Sequence, residues 1–265
     1  MKRLITIYFL IIAIGSFSQE KISPDRPDQT ETVYTTPKKF IQTEIGFLKE
    51  KSEENNYKIL HPTALIKYGI SKKVELRLEA NYYTDYQELI SGNKLTHSLD
   101  PVEIGTKVSL WEEKGILPKT SFIGHIGVPI LASESFRKEP VPFICRLTFQ
   151  NSLSEQLSLG YNVGIEGGGQ ESTSFFYTIA PGIELGDRWY SYIEAFGSFY
   201  KDLSVHHIDA GIGYFITKDV MIDASAGYGL GNSDLKNFFG IGCSFRFNTK
   251  ETSSRANSLS STLLK

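Results

Sequence analysis

Ten charged residues stand at alternate positions in runs whose intervening residues are mostly apolar: Glu44, Glu75, Arg77, Glu79, Glu103, Lys107, Arg146, Asp209, Asp223 and Arg246. On an extended chain, residues two apart share a face. The pattern therefore collects these groups on a polar face backed by an apolar one. Such a face can do one of two things. It can line a water-filled path that selects solutes by charge, or it can cross-link a closed interior through salt bridges. Ahead of these runs lies Pro24–Thr32, which carries Asp25, Arg26 and Asp28. That segment reads either as a plug whose charges pair with the polar face or as an extended linker under the rim.

Reactive chemistry finds less support. His206 and His207 are adjacent, so on a strand they point to opposite faces, and no metal site is expected. His61, His97 and His125 are scattered and read as lumenal or loop polar residues. No Gly-x-Ser-x-Gly elbow and no firmly spaced Ser/His pair occurs, so no catalytic residue is assigned and an enzyme is not expected. The glycines at 167–169 and 227–231 fall between strands with no helix following, so they read as loops and not as phosphate cradles. No cofactor is implied.

The elements that would carry these residues are strands. From Phe40 to Phe247 the sequence alternates with period two. Val74, Leu76, Leu78, Ala80 and Tyr82 take one face; Glu75, Arg77, Glu79 and Asn81 take the other. Runs centred on Ile45, Ile104, Leu147, Tyr161, Ile212, Ala224 and Cys243 repeat the scheme. Noisier strand-like stretches lie near 59–70, 119–130, 174–186 and 189–200. The 23 Gly, 17 Phe and 14 Tyr suit sheets and turns. The expected fold is all-β: a closed antiparallel up-and-down transmembrane β-barrel of about twelve strands.

The connections alternate in length. Short turns at Ser71–Lys73, Ser154–Glu155, Gly186–Arg188 and Thr217–Asp219 contrast with polar segments at Lys49–Asn56, Thr84–Asp100, Ser133–Pro140, Gly167–Ser174, Lys201–Val205 and Gly231–Lys236. This predicts short periplasmic turns and long outer loops. Tyr68, Trp111, Trp189, Tyr190, Tyr214 and Tyr228 sit near strand ends, where interfacial aromatic girdles belong. Residues 1–18 read as a signal peptide: Lys2 and Arg3, an apolar run from Leu4 to Ile14, then Ser16-Phe17-Ser18. Residues 19–39 form the N-terminal segment, 40–247 the barrel, and 248–265 a Ser/Thr-rich tail without pattern. Cys145 and Cys243 fall on the apolar face of strands on nearly opposite walls, so free lipid-facing thiols are expected. A net charge of −2 offers no field for nucleic acid.

The opening segment Ile22-Ser23-Pro24-Asp25-Arg26-Pro27-Asp28-Gln29-Thr30-Glu31-Thr32 resembles the start of outer-membrane barrels of the phenol-degradation MetA-pathway family, of the Bacteroidetes type. The likeness extends through Gln42–Phe47, Tyr68-Gly69-Ile70, Glu75-Leu76-Arg77 and Val102–Val108. It implies a transporter-like barrel in the cell outer membrane that passes small, hydrophobic molecules. Outer-membrane lipid, the barrel assembly machinery and an unidentified small solute are the expected partners. Two other roles fit the same pattern: a barrel that binds ligands or surfaces through long outer loops, and a lipid-modifying barrel enzyme.

Overall fold

The computed structural model describes residues 21–52, 56–89, 92–169, 171–201, 203–231 and 233–250. The signal peptide expected over 1–18 and the tail beyond Lys250 lie outside these residues. Thirteen strands form one antiparallel sheet: β1 Phe40–Ser52, β2 Tyr57–Gly69, β3 Val74–Leu89, β4 Gly92–Leu99, β5 Val102–Trp111, β6 Lys119–Val128, β7 Phe143–Ser152, β8 Leu157–Gly168, β9 Glu171–Leu185, β10 Trp189–Tyr200, β11 Leu203–Thr217, β12 Val220–Leu230 and β13 Leu235–Asn248. Apart from β4 and β5, which both pair with β3, consecutive strands pair with one another, and β1 pairs with β13, which closes the sheet on itself. β4 pairs with Tyr82–Leu89 of β3, and β5 pairs with Val74–Glu79 of the same strand. These two segments thus form one interrupted stave, broken at Asp100-Pro101, and the closed barrel has twelve staves.

Burial runs opposite to that of a water-soluble sandwich. On β3 and β5 the apolar Leu76, Leu78 and Ile104 are 48%, 41% and 54% exposed, whereas Glu75, Arg77 and Lys107 are 0%, 2% and 0% exposed. An apolar exterior over a polar interior is stable only where the outer solvent is lipid, and closure leaves no unpaired strand edge facing it. Trp111, Trp189, Tyr68 and Tyr228 are exposed outward, and Trp189 packs on Tyr214 at 4.6 Å. Tyr190, expected in that girdle, is half-buried beside Tyr192 on the interior face, because it shares the parity of Glu194.

The polar segments read as long loops are mostly strand. Thr84–Asp100 is the β3–β4 hairpin, and β8–β9, β10–β11 and β12–β13 turn within a few residues. Above the membrane band both faces of a strand meet water, so alternation fades while the hydrogen-bond ladder continues. The longer connection is 129–142, which holds two 3-10 turns and buries Phe136. Cys145 on β7 and Cys243 on β13 are free and six staves apart.

A ladder closed in this way should resist SDS at room temperature. Unboiled protein is expected to migrate faster than boiled protein on a gel. Identical migration of the two samples would contradict the closed barrel.

Candidate functional site in the barrel lumen

Residues 21–39 do not hang beneath the barrel. They enter and leave the lumen at the short-turn end. At the entry, the Ile22 N–H donates to the Lys218 carbonyl (2.7 Å) in the β11–β12 turn, and the Ile22 side chain packs on Phe215 and Met221. At the exit, the Thr35 hydroxyl donates to the Lys72 carbonyl (3.1 Å) in the β2–β3 turn. There Gly69 of β2 lies against the carbonyls of Thr36 and Pro37, where a Cβ would collide with backbone. The segment is therefore a loop pushed into the barrel from one end.

Its most heavily paired charge is Asp25. One carboxylate oxygen accepts from Lys67 Nζ (2.8 Å) and Arg77 Nη1 (2.9 Å). The other accepts from Lys107 Nζ (2.9 Å) and the Thr32 N–H (3.0 Å). Arg77 also donates to Glu31 (2.6 Å), to Glu75 (2.9 Å) and, through Nε, to His125 Nε2 (2.9 Å). Lys67 pairs in addition with Glu44, whose carboxylate accepts the backbone N–H groups of Asp25 and Arg26. Three cations thus face four carboxylates, and the side chains of all three cations are at most 1% exposed. Isolated charges at such depth cost several kcal/mol each, so the arrangement holds only because each is paired. Burial alone would raise the Asp25 carboxyl, but Lys107, Lys67 and Arg77 outweigh it and hold it well below the usual carboxylate range.

Arg26 turns to the wall on the other side of β1. Its guanidinium donates to Asp223 (2.9 Å) and lies flat against Gly46 and Gly242, where any side chain would displace it. At the apex, the Gln29 N–H and the Thr30 hydroxyl donate to Glu194, and the Glu31 N–H donates to Asn162 Oδ1 (2.8 Å). Arg146 donates to the Gln29 carbonyl (2.9 Å) and stacks on Phe176 at 4.7 Å. Asp28 sits among acids: burial, Glu194 and Asp209 push its carboxyl well up. A cavity of about 630 Å³ remains between the segment and the wall at the short-turn mouth, reached by Lys21, Asp28, Lys119, Glu184 and Arg246.

The residues singled out from sequence are distributed as follows. Glu44, Glu75, Arg77 and Lys107 meet around Asp25, and Asp223 and Arg146 hold other parts of the segment. Asp209 accepts from the Tyr192 hydroxyl (3.2 Å), and Arg246 pairs with Asp219 near the mouth (2.8 Å). Glu79 and Glu103 face each other across β3 and β5 beside His125. The sequence reading missed Lys67, Glu194, Asn162, the role of Glu31, and Ser121, whose hydroxyl donates to the Val33 carbonyl (2.6 Å). Lys67 shares its parity with Leu65, and Glu194 with Tyr190, Tyr192 and Phe196. Their inward faces are partly apolar, so alternation gave no polar stripe to follow.

The donor atoms of Glu79, Glu103 and His125 lie within 4.8 Å of one another, close enough to suggest a metal. The hydrogen bonds argue otherwise. Arg77 Nε can only donate, so His125 Nε2 accepts and the proton of a neutral ring sits on Nδ1. Nδ1 points at Glu103 (3.1 Å) and donates to it. The lone pair a metal would need is therefore occupied by a proton.

The model of the family of the MetA pathway of phenol degradation matches residues 24–247. No curated protein matches the chain by sequence. Among solved structures, an outer membrane channel from Pseudomonas putida F1 is similar in fold: TM-score 0.64, 7% identity, covering 81% of this chain and 98% of that one. The KdgM porin in complex with disordered oligogalacturonate is also similar, with TM-score 0.52, 11% identity, and coverage of 77% and 99%.

The two aspartates predict opposite pH limits on docking. Asp25 has a lowered pKa, so its contribution is present above the ordinary carboxylate range and is lost as pH falls through its lowered value. Asp28 has a raised pKa, so its contribution is present at low pH and is lost as pH rises through the raised value. Hydrogen exchange over residues 22–36, corrected for intrinsic rate, should quicken at both extremes. Asp28→Asn should remove the alkaline limb alone; an unchanged alkaline limb in that variant would contradict the assignment. Asp25→Asn should weaken docking by about 3 kcal/mol or more at neutral pH, because it leaves buried cations underpaired.

Proposed function

The chain belongs to the family of the MetA pathway of phenol degradation, and from that premise we propose that it is a passive outer-membrane channel for small molecules whose path is closed by its own N-terminal segment. One observation carries the reading: residues 22–36 cross the lumen and bind walls on β1–β3, β5, β8, β10 and β12. A linker with no role in the path would not need buried ion pairs with four wall strands, β2, β3, β5 and β12. The even number of staves puts both barrel ends at the short-turn mouth, which on this reading faces the periplasm.

The solute class follows from the family name and from the interior beyond the plug. Phe176, Tyr192, Phe196 and Phe238 face inward there; Phe196 stacks on His207 at 4.8 Å and meets the edge of Phe238 at 6.1 Å. Aromatic faces mixed with hydrogen-bonding groups suit small aromatic molecules carrying a hydroxyl. The similar channel and porin support a transport role over an enzymatic one. On this reading the partners are outer-membrane lipid, the machinery that inserts barrels, and the solute.

Planar-bilayer conductance tests the proposal. Wild-type protein should show low or intermittent conductance. Deletion of residues 24–34 should give a steady open level, with Asp25→Asn opening more often than wild type. If the deletion variant folds, by the gel-migration criterion, yet conducts no better than wild type, the segment does not close the path.

A further inference from the structure

The two oxygens of the Asp25 carboxylate have separate partners on the wall. One accepts from Lys67 Nζ and Arg77 Nη1, the other from Lys107 Nζ. Hydrogen bonds between ionised groups are short and strong, and a carboxylate shared by three cations fills a cradle shaped for one. The cradle does not depend on the segment for its position. Its cations stand on regular ladder: the slip at His61-Pro62, where Gly46 pairs with Thr63 and Leu48 with Leu60, lies beyond Lys67 on β2. Glu44 holds Lys67, and Glu75 holds Arg77, from the wall itself.

Next to the carboxylate the segment brings an apolar group. The Thr32 N–H donates to Asp25 (3.0 Å), and the following residue, Val33, is 1% exposed. The Val33 carbonyl accepts from the Ser121 hydroxyl of β6. Two residues along β6, Ile123 faces inward opposite Lys107 in the ladder and is buried to the same degree. The wall thus receives a carboxylate and an aliphatic side chain side by side. Departure of the segment removes Asp25 and Glu31 from around Arg77 and Lys107. One cation is then in excess: Lys107, 3.9 Å from Glu75. The next acids on β3 and β5 do not make up the difference, because Glu79 accepts from Asn81 and Glu103 from His125.

We propose that the cradle of Lys67, Arg77 and Lys107 is a binding site for the carboxylate of a small aromatic acid, which takes the place of Asp25 and holds the channel open. The inference rests on the channel reading for the aromatic part of the solute and adds the carboxylate. The ring lies along Ile123, and the carboxylate pairs with the cations that the segment releases. Segment and solute compete for one place, so a solute that binds only the undocked state draws the equilibrium towards that state. Phenol has the ring but not the group that competes.

The test compares 4-hydroxybenzoate with phenol, on the purified full chain in detergent at neutral pH. By titration calorimetry 4-hydroxybenzoate should bind about tenfold or more tightly than phenol, and it alone should quicken hydrogen exchange over residues 22–36. Asp25→Asn removes the internal competitor, so it should bind 4-hydroxybenzoate about tenfold more tightly than wild type does. Adding Lys107→Gln to Asp25→Asn should cancel that gain. Equal binding of phenol overturns the proposal, as does an Asp25→Asn variant that binds the acid no more tightly than wild type. So does equal quickening by sodium chloride at the same ionic strength, which means charge screening only. Should the double variant fail to fold, the contrast between wild type and Asp25→Asn still decides. None of these readouts needs conductance. A deletion of residues 24–34 that fails to open the path counts against the channel reading and leaves the carboxylate site standing; an open path without carboxylate preference does the reverse.

Discussion

The structure depends on the carboxylate of Asp25. It meets cations from three adjacent wall strands, Lys67 of β2, Arg77 of β3 and Lys107 of β5. A barrel of twelve staves has more interior than its own side chains fill, and its inward face here is built of long charged residues. Without a partner from the segment, those three cations would share two wall carboxylates, Glu44 and Glu75. Asp25 and Glu31 bring the missing charge, and the backbone N–H groups around them satisfy Glu44 and Glu75 in turn. Docking is thus a reciprocal exchange of partners, and the position of the whole segment follows from it.

The short, fixed path of the segment comes from its composition. Pro24 and Pro27 restrict the backbone around Asp25 and Arg26, and those two adjacent side chains diverge, Asp25 towards β2, β3 and β5 and Arg26 towards β12. The wall accommodates this by being thin where the segment is thick. Gly46 and Gly242 leave room for the Arg26 guanidinium, and Gly69 leaves room for the carbonyls at the exit. A bulkier wall residue at any of these points would conflict with the segment and not with the sheet, so the glycines are features of docking more than of strand geometry.

Much of this was legible in the sequence, for identifiable reasons. Strands such as Val74–Tyr82 face lipid on one side and charged groups on the other, so period-two alternation is at its cleanest and located the lumenal charges. Where the inward face carries aromatics, as with Tyr190, Tyr192 and Phe196 around Glu194, the contrast between faces disappears and so does the signal. Lys67 was hidden for a related reason: the bulge at His61-Pro62 breaks the parity of β2 just below it. Polar composition does not mark irregular backbone in the outer segments, because a strand that rises out of the membrane becomes polar on both faces. The plug was suggested by Pro, Asp and Arg in close succession, but which wall residues it meets depends on barrel closure, and no local pattern encodes that.

The pairing of the wall also determines what an open state would cost. Lys67 bonds Glu44 and Arg77 bonds Glu75 without help from the segment. Withdrawal of Asp25 and Glu31 would leave those two pairs standing and Lys107 3.9 Å from Glu75. Water entering the emptied lumen would solvate the rest, so the penalty is that of losing pairings in a wet channel and not that of stranding charges in a dry core. A plug held by apolar packing would have no such alternative, since its removal would expose a greasy wall. Ionic docking against a wall that already holds half of its own counter-charges is therefore the arrangement that keeps the closed state well defined while leaving the open one accessible.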